Sequence, residues 1–174
     1  MQDLMEKCAQ IKMVIFDVDG VLTDGRLYLT EQGEEIKSFH SRDGHGLKML
    51  QSSGVEVAII TGRTSPIVTY RMEELGIKHV YQGQRDKVPA FEKLTAKLKL
   101  SPSQVAYVGD DVVDLPVMTK VGLAIAVQDA HPFVKQHSHW QTPNRGGLGA
   151  ARDVCELIMQ GHGVLDQTLA EYIS

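Results

Sequence analysis

The sequence predicts an α/β protein with a doubly wound, mostly parallel sheet. Two observations indicate this class. Short β-branched runs alternate with stretches that carry apolar residues at helical spacing, and glycines follow those stretches where helices are expected to end. With 174 residues, of which 43% are hydrophobic, the chain is long enough to bury one core and short for two. We therefore expect a single domain over residues 1–174.

Each predicted element follows from its local pattern. Buried strands are predicted where the runs are short and apolar, at residues 13–16, 55–60, 105–108 and 123–127. Helices are predicted at residues 46–51, 65–75, 87–98, 111–120 and 150–160, with Gly54, Gly76 and Gly122 at helix ends.

Residues 26–40 break this alternation. Two β-favouring runs flank Gly33, which predicts a β-hairpin insert. Ligands of a doubly wound sheet bind beyond the carboxyl ends of its strands, so the hairpin would stand over that crevice as a lid or an assembly surface. The chain between Gly62 and Lys87 is too short for a second domain. Residues 143–174 are predicted to form a glycine-rich loop, a helix and a tail.

Composition excludes several functions. A formal net charge of -4 and a pI near 5.9 argue against non-specific binding to nucleic acid. The apolar runs are far shorter than a membrane-spanning helix requires, so no membrane partner is expected. Cys8 and Cys155 show neither zinc-site spacing nor a disulfide framework, which favours a reducing compartment such as the cytoplasm.

Paired acids at the end of the first predicted strand are the strongest chemical signal. Asp17 and Asp19 follow residues 13–16 and enter a glycine-rich loop. A continuing strand would point them to opposite faces, so the loop must turn to bring both carboxylates to one site. That arrangement suits a hard cation and a phosphate. Taken alone, the motif could equally be a strand-ending turn.

Other predicted strand ends and helix starts carry polar groups suited to the same place. Thr61 and Gly62 offer a hydroxyl and a backbone N–H ahead of a helix, which is a natural anion cradle. Lys87 opens the next helix, where a cation opposes the helix dipole and is less expected than an acid. Asp110 stands at a strand tip, and Asp111 and Asp114 follow it at the start of a helix.

Together these motifs resemble the haloacid dehalogenase superfamily of phosphatases: Asp17-x-Asp19-Gly, Thr61-Gly, Lys87 and Gly109-Asp110-Asp111-x-x-Asp114, in that order. The resemblance implies that Asp17 is the nucleophile and forms an aspartyl-phosphate. It implies that Asp19 protonates the leaving alcohol and later deprotonates the attacking water. Thr61, Gly62 and Lys87 would bind the phosphoryl oxygens.

The same resemblance implies a magnesium cofactor. Its protein ligands would be the Asp17 carboxylate, the Asp19 backbone carbonyl and the Asp110 carboxylate. Asp111 and Asp114 would orient waters, Lys87 or neighbouring groups. A hard divalent ion is chemically reasonable here, because it can relieve the repulsion between a carboxylate nucleophile and an anionic phosphate ester.

A closer resemblance is to the 3-deoxy-D-manno-octulosonate 8-phosphate phosphatases, and it runs nearly end to end. The motifs that carry it include the stretch from Phe16 to Gly25 with the hairpin after it, Ile60-Thr-Gly-Arg63, Tyr81-Gln-Gly83, Val112-Val-Asp-Leu-Pro116 and Ala130-His-Pro132. It implies an enzyme of lipopolysaccharide precursor synthesis that has a short hairpin flap and no large cap domain. It also implies a homotetramer in which a neighbour's hairpin helps to close the active site.

Arginines are the natural partners of a sugar-acid carboxylate, because their planar fork binds it bidentately. Arg63 and Arg71 are the candidates, with Arg42 and Arg85 behind them. Arg145, in the glycine-rich loop, either contacts substrate or organises the tail. Each of these arginines could instead be a solvated surface residue.

Three alternatives remain open on the residues alone. A phosphatase for a related nine-carbon sugar-acid 9-phosphate fits the same chemistry, because a fold does not fix a substrate. A signalling receiver module also combines an α/β sheet with acids, a threonine and a lysine, but it places its phospho-acceptor on the third strand. A silent assembly protein would have no physical reason to keep the charge cluster of Asp17, Asp19, Lys87 and Asp110.

Overall fold

The computed structural model describes residues 2–173 and contains two sheets with flanking helices. The strands are β1 Met13–Phe16, β2 Tyr28–Leu29, β3 Glu35–Ile36, β4 Glu56–Ile60, β5 His79–Tyr81, β6 Val105–Gly109, β7 Leu123–Ala126 and β8 Trp140–Gln141. The helices are α1 Gln2–Gln10, α2 Ser41–Ser52, α3 Pro66–Glu74, α4 Val88–Leu98, α5 Leu115–Met118, α6 Pro132–Gln136, α7 Ala150–Gly161 and α8 Leu165–Ala170.

The main sheet has six parallel strands in the order β5-β4-β1-β6-β7-β8. The chain runs from β1 outward through β4 and β5, then returns to β6 on the other side of β1 and continues outward to β8. The strand order therefore reverses between β1 and β6, and ligands of such sheets bind at the carboxyl edge of this switch point. The predicted fold class is confirmed.

Apolar burial explains why these residues form the sheet. Every residue of β1, β6 and β7 is buried, as expected for strands covered on both faces. Helices α1 and α2 pack against α7, while α4 packs against α5. This scaffold fixes the carboxyl ends of β1, β4 and β6 beside one another, and the predicted polar residues follow those ends.

The hairpin is also confirmed. Strands β2 and β3 pair antiparallel, with Tyr28 opposite Ile36 and Leu29 opposite Glu35. The side chains of Leu27, Leu29 and Ile36 are all more than half exposed. By this register Leu29 and Ile36 lie on opposite faces, so both faces of the hairpin expose apolar side chains. The segment between Gly62 and Lys87 forms α3 and β5, which belong to the main sheet layers.

Two element predictions were wrong in detail. Helix α2 begins at Ser41, five residues before the predicted start at residue 46. The prediction started late because Gly44 and Gly46 lower the helix propensity of this stretch, although they do not end the helix. A side chain at Gly44 would displace the movable end of Arg71, and one at Gly46 would crowd Arg152. Predicted helix 111–120 is a 3₁₀ turn, Val112–Asp114, followed by the single-turn helix α5.

The glycine signals were partly right. Gly54 and Gly76 have positive φ and follow the last residues of α2 and α3, as helix-ending glycines do. Gly122 is different, because it lies against the backbone of Ser103, where a side chain would not fit. The sequence reading missed α1, β5, α6, β8 and α8. No helix within residues 2–173 is long and apolar enough to cross a membrane.

Candidate active site

The loop after β1 turns as the paired acids required. The carbonyl of Val18 accepts hydrogen bonds from the backbone N–H groups of Val21, Leu22 and Thr23, which folds the chain back on itself. Asp17 is buried and Asp19 is partly exposed, and both line one cavity. Gly20 has a φ of +89°, and a side chain there would overlap the Asp110 carboxylate. The glycine therefore allows the acids of β1 and β6 to approach each other.

Lys87 lies at the centre of a buried polar cluster that we call the Lys87 cluster: Asp17, Lys87, Tyr107 and Asp114. The ammonium nitrogen of Lys87 donates to Asp114 Oδ1 at 2.6 Å and to the Tyr107 hydroxyl at 3.2 Å. The Tyr107 hydroxyl in turn donates to Asp114 Oδ1 at 2.7 Å. Burial alone would lower the pKa of Lys87, but the charges of Asp17 and Asp114 outweigh that effect and raise it. The lysine is therefore held as a cation.

Asp17 is not saturated by this cluster. Its Oδ1 lies 3.1 Å from Lys87 Nζ as an ion pair, yet it accepts no aligned hydrogen bond from any of residues 2–173. Burial and the charge of Asp114 raise the pKa of Asp17. A buried carboxylate oxygen without a hydrogen bond is costly, so this atom is available to react or to bind a ligand.

Carboxylates outnumber cations at this edge of the sheet. Burial, followed by the charges of Asp114 and Asp17, raises the pKa of Asp110 to about 8. One oxygen each of Asp17, Asp110 and Asp114 lies within 4.8 Å of the others. Asp114 is already occupied, because its Oδ2 accepts the backbone N–H groups of Asp110 and Asp111. Asp17 and Asp110 therefore fit a hard divalent cation, which would offset their mutual repulsion.

A cavity of about 430 Å³ joins these groups. Besides the acids and Lys87 it is lined by Gly25, Thr61, Gly62, Arg63, Gln84, Arg85 and Val113. Thr61 follows β4 and is buried, while Gly62 is exposed beside it. Within residues 2–173 no acceptor takes the Gly62 N–H. Lys87, Thr61 and Gly62 therefore line the same cavity as Asp17, as the sequence predicts.

A second buried lysine approaches the site from the hairpin. Lys37 has 3% of its side chain exposed and donates to Asp19 Oδ1 at 2.5 Å and to Glu35 Oε1 at 2.9 Å. Glu35 also pairs with Arg63 at 3.2 Å. We call Asp19, Glu35, Lys37 and Arg63 the Lys37 cluster. Burial alone would lower the pKa of Lys37, but the bonds to Asp19 and Glu35 outweigh it and raise the pKa.

The predicted arginines separate in the structure. Arg63 lines the cavity and has 48% of its side chain exposed. Arg71 lies elsewhere: it donates to Glu74 at 2.7 Å, and its guanidinium carbon is 5.9 Å from the centre of the Phe39 ring. Within this chain Arg71 lines a different depression, together with Phe39 and Tyr70.

The remaining predicted residues are at the edge of the site. Asp111 lines the cavity and caps the 3₁₀ turn, because its Oδ1 accepts the Val112 N–H at 2.7 Å. Arg145 is exposed on the glycine-rich loop. This loop contacts the loop after β1, because the Gly147 N–H donates to the Val21 carbonyl at 2.8 Å. The loop thus supports the Asp17 loop, while the Arg145 side chain lies outside the cavity lining.

Sequence reasoning missed Lys37, Glu35 and Tyr107. A signal was present for the first two, because Glu35 and Lys37 alternate with Ile36 and so share one face of the predicted hairpin strand. A charged face opposite an apolar face indicates that one side of the hairpin meets a polar site. Tyr107 gave no such signal, since a tyrosine in a buried strand is ordinary core filler.

The parallel sheet, the acid pair after its central strand and the buried lysine define the class of the haloacid dehalogenase-like hydrolases, and the family model for those hydrolases matches residues 79–151. The 3-deoxy-D-manno-octulosonate 8-phosphate phosphatase of Yersinia pestis is 48% identical over 94% of this chain and 88% of its own length.

Solved structures agree. A probable YrbI family phosphatase from Pseudomonas syringae pv. phaseolica superimposes with a TM-score of 0.98 at 52% identity, covering 100% of this chain and 99% of its own. The octulosonate 8-phosphate phosphatase of Moraxella catarrhalis, solved with magnesium, phosphate and KDO, gives 0.96 at 41% identity and 99% of both chains. This chain therefore belongs to the haloacid dehalogenase-like hydrolases and, within them, to the family that these octulosonate 8-phosphate phosphatases form.

Proposed function

We propose that this protein is a magnesium-dependent phosphatase that hydrolyses 3-deoxy-D-manno-octulosonate 8-phosphate to the free sugar acid and phosphate. The observation that carries the proposal is the Asp17 carboxylate, whose Oδ1 is buried, lacks an aligned hydrogen bond and lies 3.1 Å from Lys87 beside a cavity of about 430 Å³. The substrate follows from the family. Its product would enter lipopolysaccharide precursor synthesis, the role that the sequence resemblance implies.

The chain supplies the groups for two successive phosphoryl transfers. Asp17 attacks phosphorus, and a new Asp17–phosphorus bond forms as the bond to the sugar oxygen breaks. Asp19 gives its proton to the departing sugar oxygen, so the sugar leaves as an alcohol. Asp19 then takes a proton from the water that attacks phosphorus, and Asp17 is released as a carboxylate with inorganic phosphate as the product.

Three groups hold the phosphoryl oxygens during these steps. The Lys87 ammonium, the Thr61 hydroxyl and the Gly62 N–H border the cavity beside Asp17. Lys87 donates to Asp114 and Tyr107, and its ammonium nitrogen lies 3.1 Å from Asp17 Oδ1, so its positive charge stands beside the site of the phosphoryl group. These fixed donors would stabilise the charge that spreads over the phosphoryl oxygens in the transition state.

Magnesium fits the unsaturated acids of the site. When bound, the ion would reduce the repulsion between the nucleophilic carboxylate and the anionic ester. The carboxylates of Asp17 and Asp110 and the backbone carbonyl of Asp19 would hold it. Asp114 would keep Lys87 in place, and Asp111 would stay at the edge of the site.

Substrate recognition is assigned to the rim of the cavity. Arg63 and Arg85 both line it and offer charged forks to the sugar-acid carboxylate. The hairpin's exposed apolar residues support the further proposal of a homotetramer that buries them, since a two-stranded hairpin is marginal alone. A cytoplasmic location stays a prediction from the cysteine content.

A substrate panel tests the function. We would measure phosphate release from 3-deoxy-D-manno-octulosonate 8-phosphate, from a nine-carbon sugar-acid 9-phosphate and from a hexose 6-phosphate, each with magnesium and with a chelator. We expect the highest kcat/KM on the eight-carbon acid and no turnover in chelator. A higher kcat/KM on the nine-carbon acid would make that compound the assigned substrate. Equal rates on the hexose phosphate would contradict the assignment of a sugar-acid substrate.

A further inference from the structure

The hairpin has two unlike sides. Tyr28 and Ile36 lie opposite each other on one face of the hairpin and are exposed, whereas the side chain of Lys37 is almost fully buried against the loop after β1 of the same chain. An outer apolar side fits contact with another molecule. The inner side contacts a catalytic carboxylate directly, so the hairpin belongs to the active site of its own chain.

The contact with Asp19 is specific to one oxygen. Lys37 Nζ donates to Asp19 Oδ1 at 2.5 Å, and Asp19 borders the cavity with 22% of its side chain exposed. The carboxylate has two oxygens, and an ammonium on one of them restricts rotation about the side-chain bonds. The second oxygen is then directed to a constant position in the cavity.

Lys37 has a second carboxylate partner in Glu35. Glu35 Oε1 accepts from Lys37 at 2.9 Å and from Arg63 at 3.2 Å. Without such partners the flexible aliphatic chain of a lysine would allow its ammonium group to occupy several positions. Two carboxylate partners restrict the ammonium more than one would, and the alternation of side chains along the chain brings Glu35 and Lys37 to the same face.

We propose that Lys37 is a positioning residue for Asp19 that acts within its own chain, with Glu35 as its support, so that the hairpin aligns the group that transfers a proton to the leaving alcohol. The proposal rests on the function assigned to Asp19 above. Its consequence is a dependence on the leaving group. A sugar alcohol needs the proton at the moment of departure, whereas 4-nitrophenolate is a stable anion and leaves without it.

The test compares kcat/KM for two substrates, because kcat/KM covers only the steps through departure of the alcohol. Lys37→Met should lower kcat/KM by roughly a hundredfold for octulosonate 8-phosphate and by less than about fivefold for 4-nitrophenyl phosphate. Glu35→Gln should show the same selectivity with a smaller loss of about tenfold. Glu34→Gln, an exposed neighbour on the same hairpin, is the matched control and should change neither.

A double variant adds a readout that a structural role would not give. If Lys37 acts through Asp19, Lys37→Met should cost little more in an Asp19→Asn background, since the group that it aligns is already gone. Equal losses on both substrates, or fully additive effects with Asp19→Asn, would overturn the proposal. The wild-type rates on the two substrates judge the proposed function separately.

Mixed assemblies test whether the contact lies within one chain. Asp17→Asn and Lys37→Met chains, carrying different tags, would be co-expressed and purified as hybrids. We expect no recovery of activity on octulosonate 8-phosphate, because each chain lacks a group that its own site needs. Recovery toward wild-type rates would show that a neighbour supplies Lys37. A monomer in light scattering would leave only the contact within the chain, as proposed.

Discussion

Two lysines that are almost fully buried contact the two acids of the first loop, and the protein holds them in different ways. Lys87 is set by the main scaffold, since it precedes α4 and bonds to Tyr107 of β6 and to Asp114. Lys37 comes from a hairpin of two short strands and is held by Asp19 and Glu35. In the proposed function the first lysine serves the nucleophile Asp17, and the second contacts the proton donor Asp19.

This difference matches what each side of the site meets. The phosphoryl group is the same in every substrate, so the residues around Asp17 gain from a rigid sheet that presets their positions. The leaving group is the part that differs between phosphate esters. A small hairpin beside Asp19 can change between relatives without disturbing the core, because few buried apolar residues depend on it.

The largest effect should come from Asp17, the proposed nucleophile. We expect Asp17→Asn to reduce phosphate release by at least about a thousandfold with the fold intact, because the amide keeps the shape and loses the attacking oxygen. Circular dichroism and phosphate release in magnesium measure the two properties. A purified variant that keeps a substantial fraction of wild-type turnover would show that another residue attacks phosphorus.

The two lysines should differ strongly in their effect on stability. Lys87→Met leaves the buried Asp17 and Asp114 without their cation, and breaking a buried pair costs about 3 to 5 kcal/mol. Lys37→Met should lower the free energy of unfolding by only about 1 kcal/mol, because Asp19 and Glu35 are partly exposed and can rehydrate. Urea unfolding in chelator measures both. Equal losses would mean that the hairpin is as integral to folding as the sheet.

The next effect concerns the arginines. Arg63→Ala should lower kcat/KM for octulosonate 8-phosphate by about tenfold, because Arg63 lines the cavity but is half exposed. Arg71→Ala should leave kcat/KM for octulosonate 8-phosphate close to the wild-type value. It should instead lower the free energy of unfolding, since Arg71 packs on Phe39 and pairs with Glu74. The rates would be compared with those on 4-nitrophenyl phosphate, which has no sugar carboxylate. A tenfold loss for Arg71→Ala alone would reverse this assignment.

Asp110, which lies beside the Lys87 cluster, should also make the stability of the protein depend on pH. The folded pKa of Asp110 is raised to about 8 from 3.8, so the folded state keeps a proton that the unfolded state has lost. Stability of the metal-free protein should therefore fall as pH rises from about 4 to about 8, between the unfolded and folded pKa values, and level off above the folded pKa. We expect a decrease of several degrees in Tm in chelator.

Magnesium and one substitution serve as controls for that slope. A bound divalent cation favours the ionised carboxylates, so saturating magnesium should flatten the decrease in Tm. Asp110→Asn should flatten it in chelator, because the group that titrates is removed. A slope unchanged by both would assign the pH dependence to groups outside this site.

The sequence predicted the residues around Lys87 better than those around Lys37, because the first group lies at the ends of strands and helices that local pattern identifies. Asp17, Thr61, Lys87 and Asp110 each follow a strand or open a helix that hydrophobic periodicity identifies, and parallel strands end at one edge. Lys37 lies on a short hairpin, where its partner depends on how the hairpin folds back. The local sequence pattern does not show which distant residue Lys37 contacts, because that contact depends on the tertiary structure.

Glycines show the same limit within the scaffold. Gly54 and Gly76 were identified because a positive φ at a helix end is a local requirement. Gly44 packs against a distant side chain and Gly122 against a distant backbone. Read from local pattern alone, they suggested a shorter α2 and a helix end at Gly122 that the structure does not have. Contacts made by residues far apart in sequence are visible only in the folded chain.

The smallest expected effect separates orientation from charge in the Lys87 cluster. Tyr107→Phe keeps the buried ring and removes only a hydroxyl that accepts from Lys87 and donates to Asp114. Lys87 keeps its ion pairs, so we expect a loss of about 1 kcal/mol in the free energy of unfolding and a fall in kcat of several-fold on both substrates. Because this side serves the phosphoryl group, the loss should not depend on the leaving group, in contrast to Lys37→Met. A loss confined to octulosonate 8-phosphate would show that the two clusters are coupled and that the division between them does not hold.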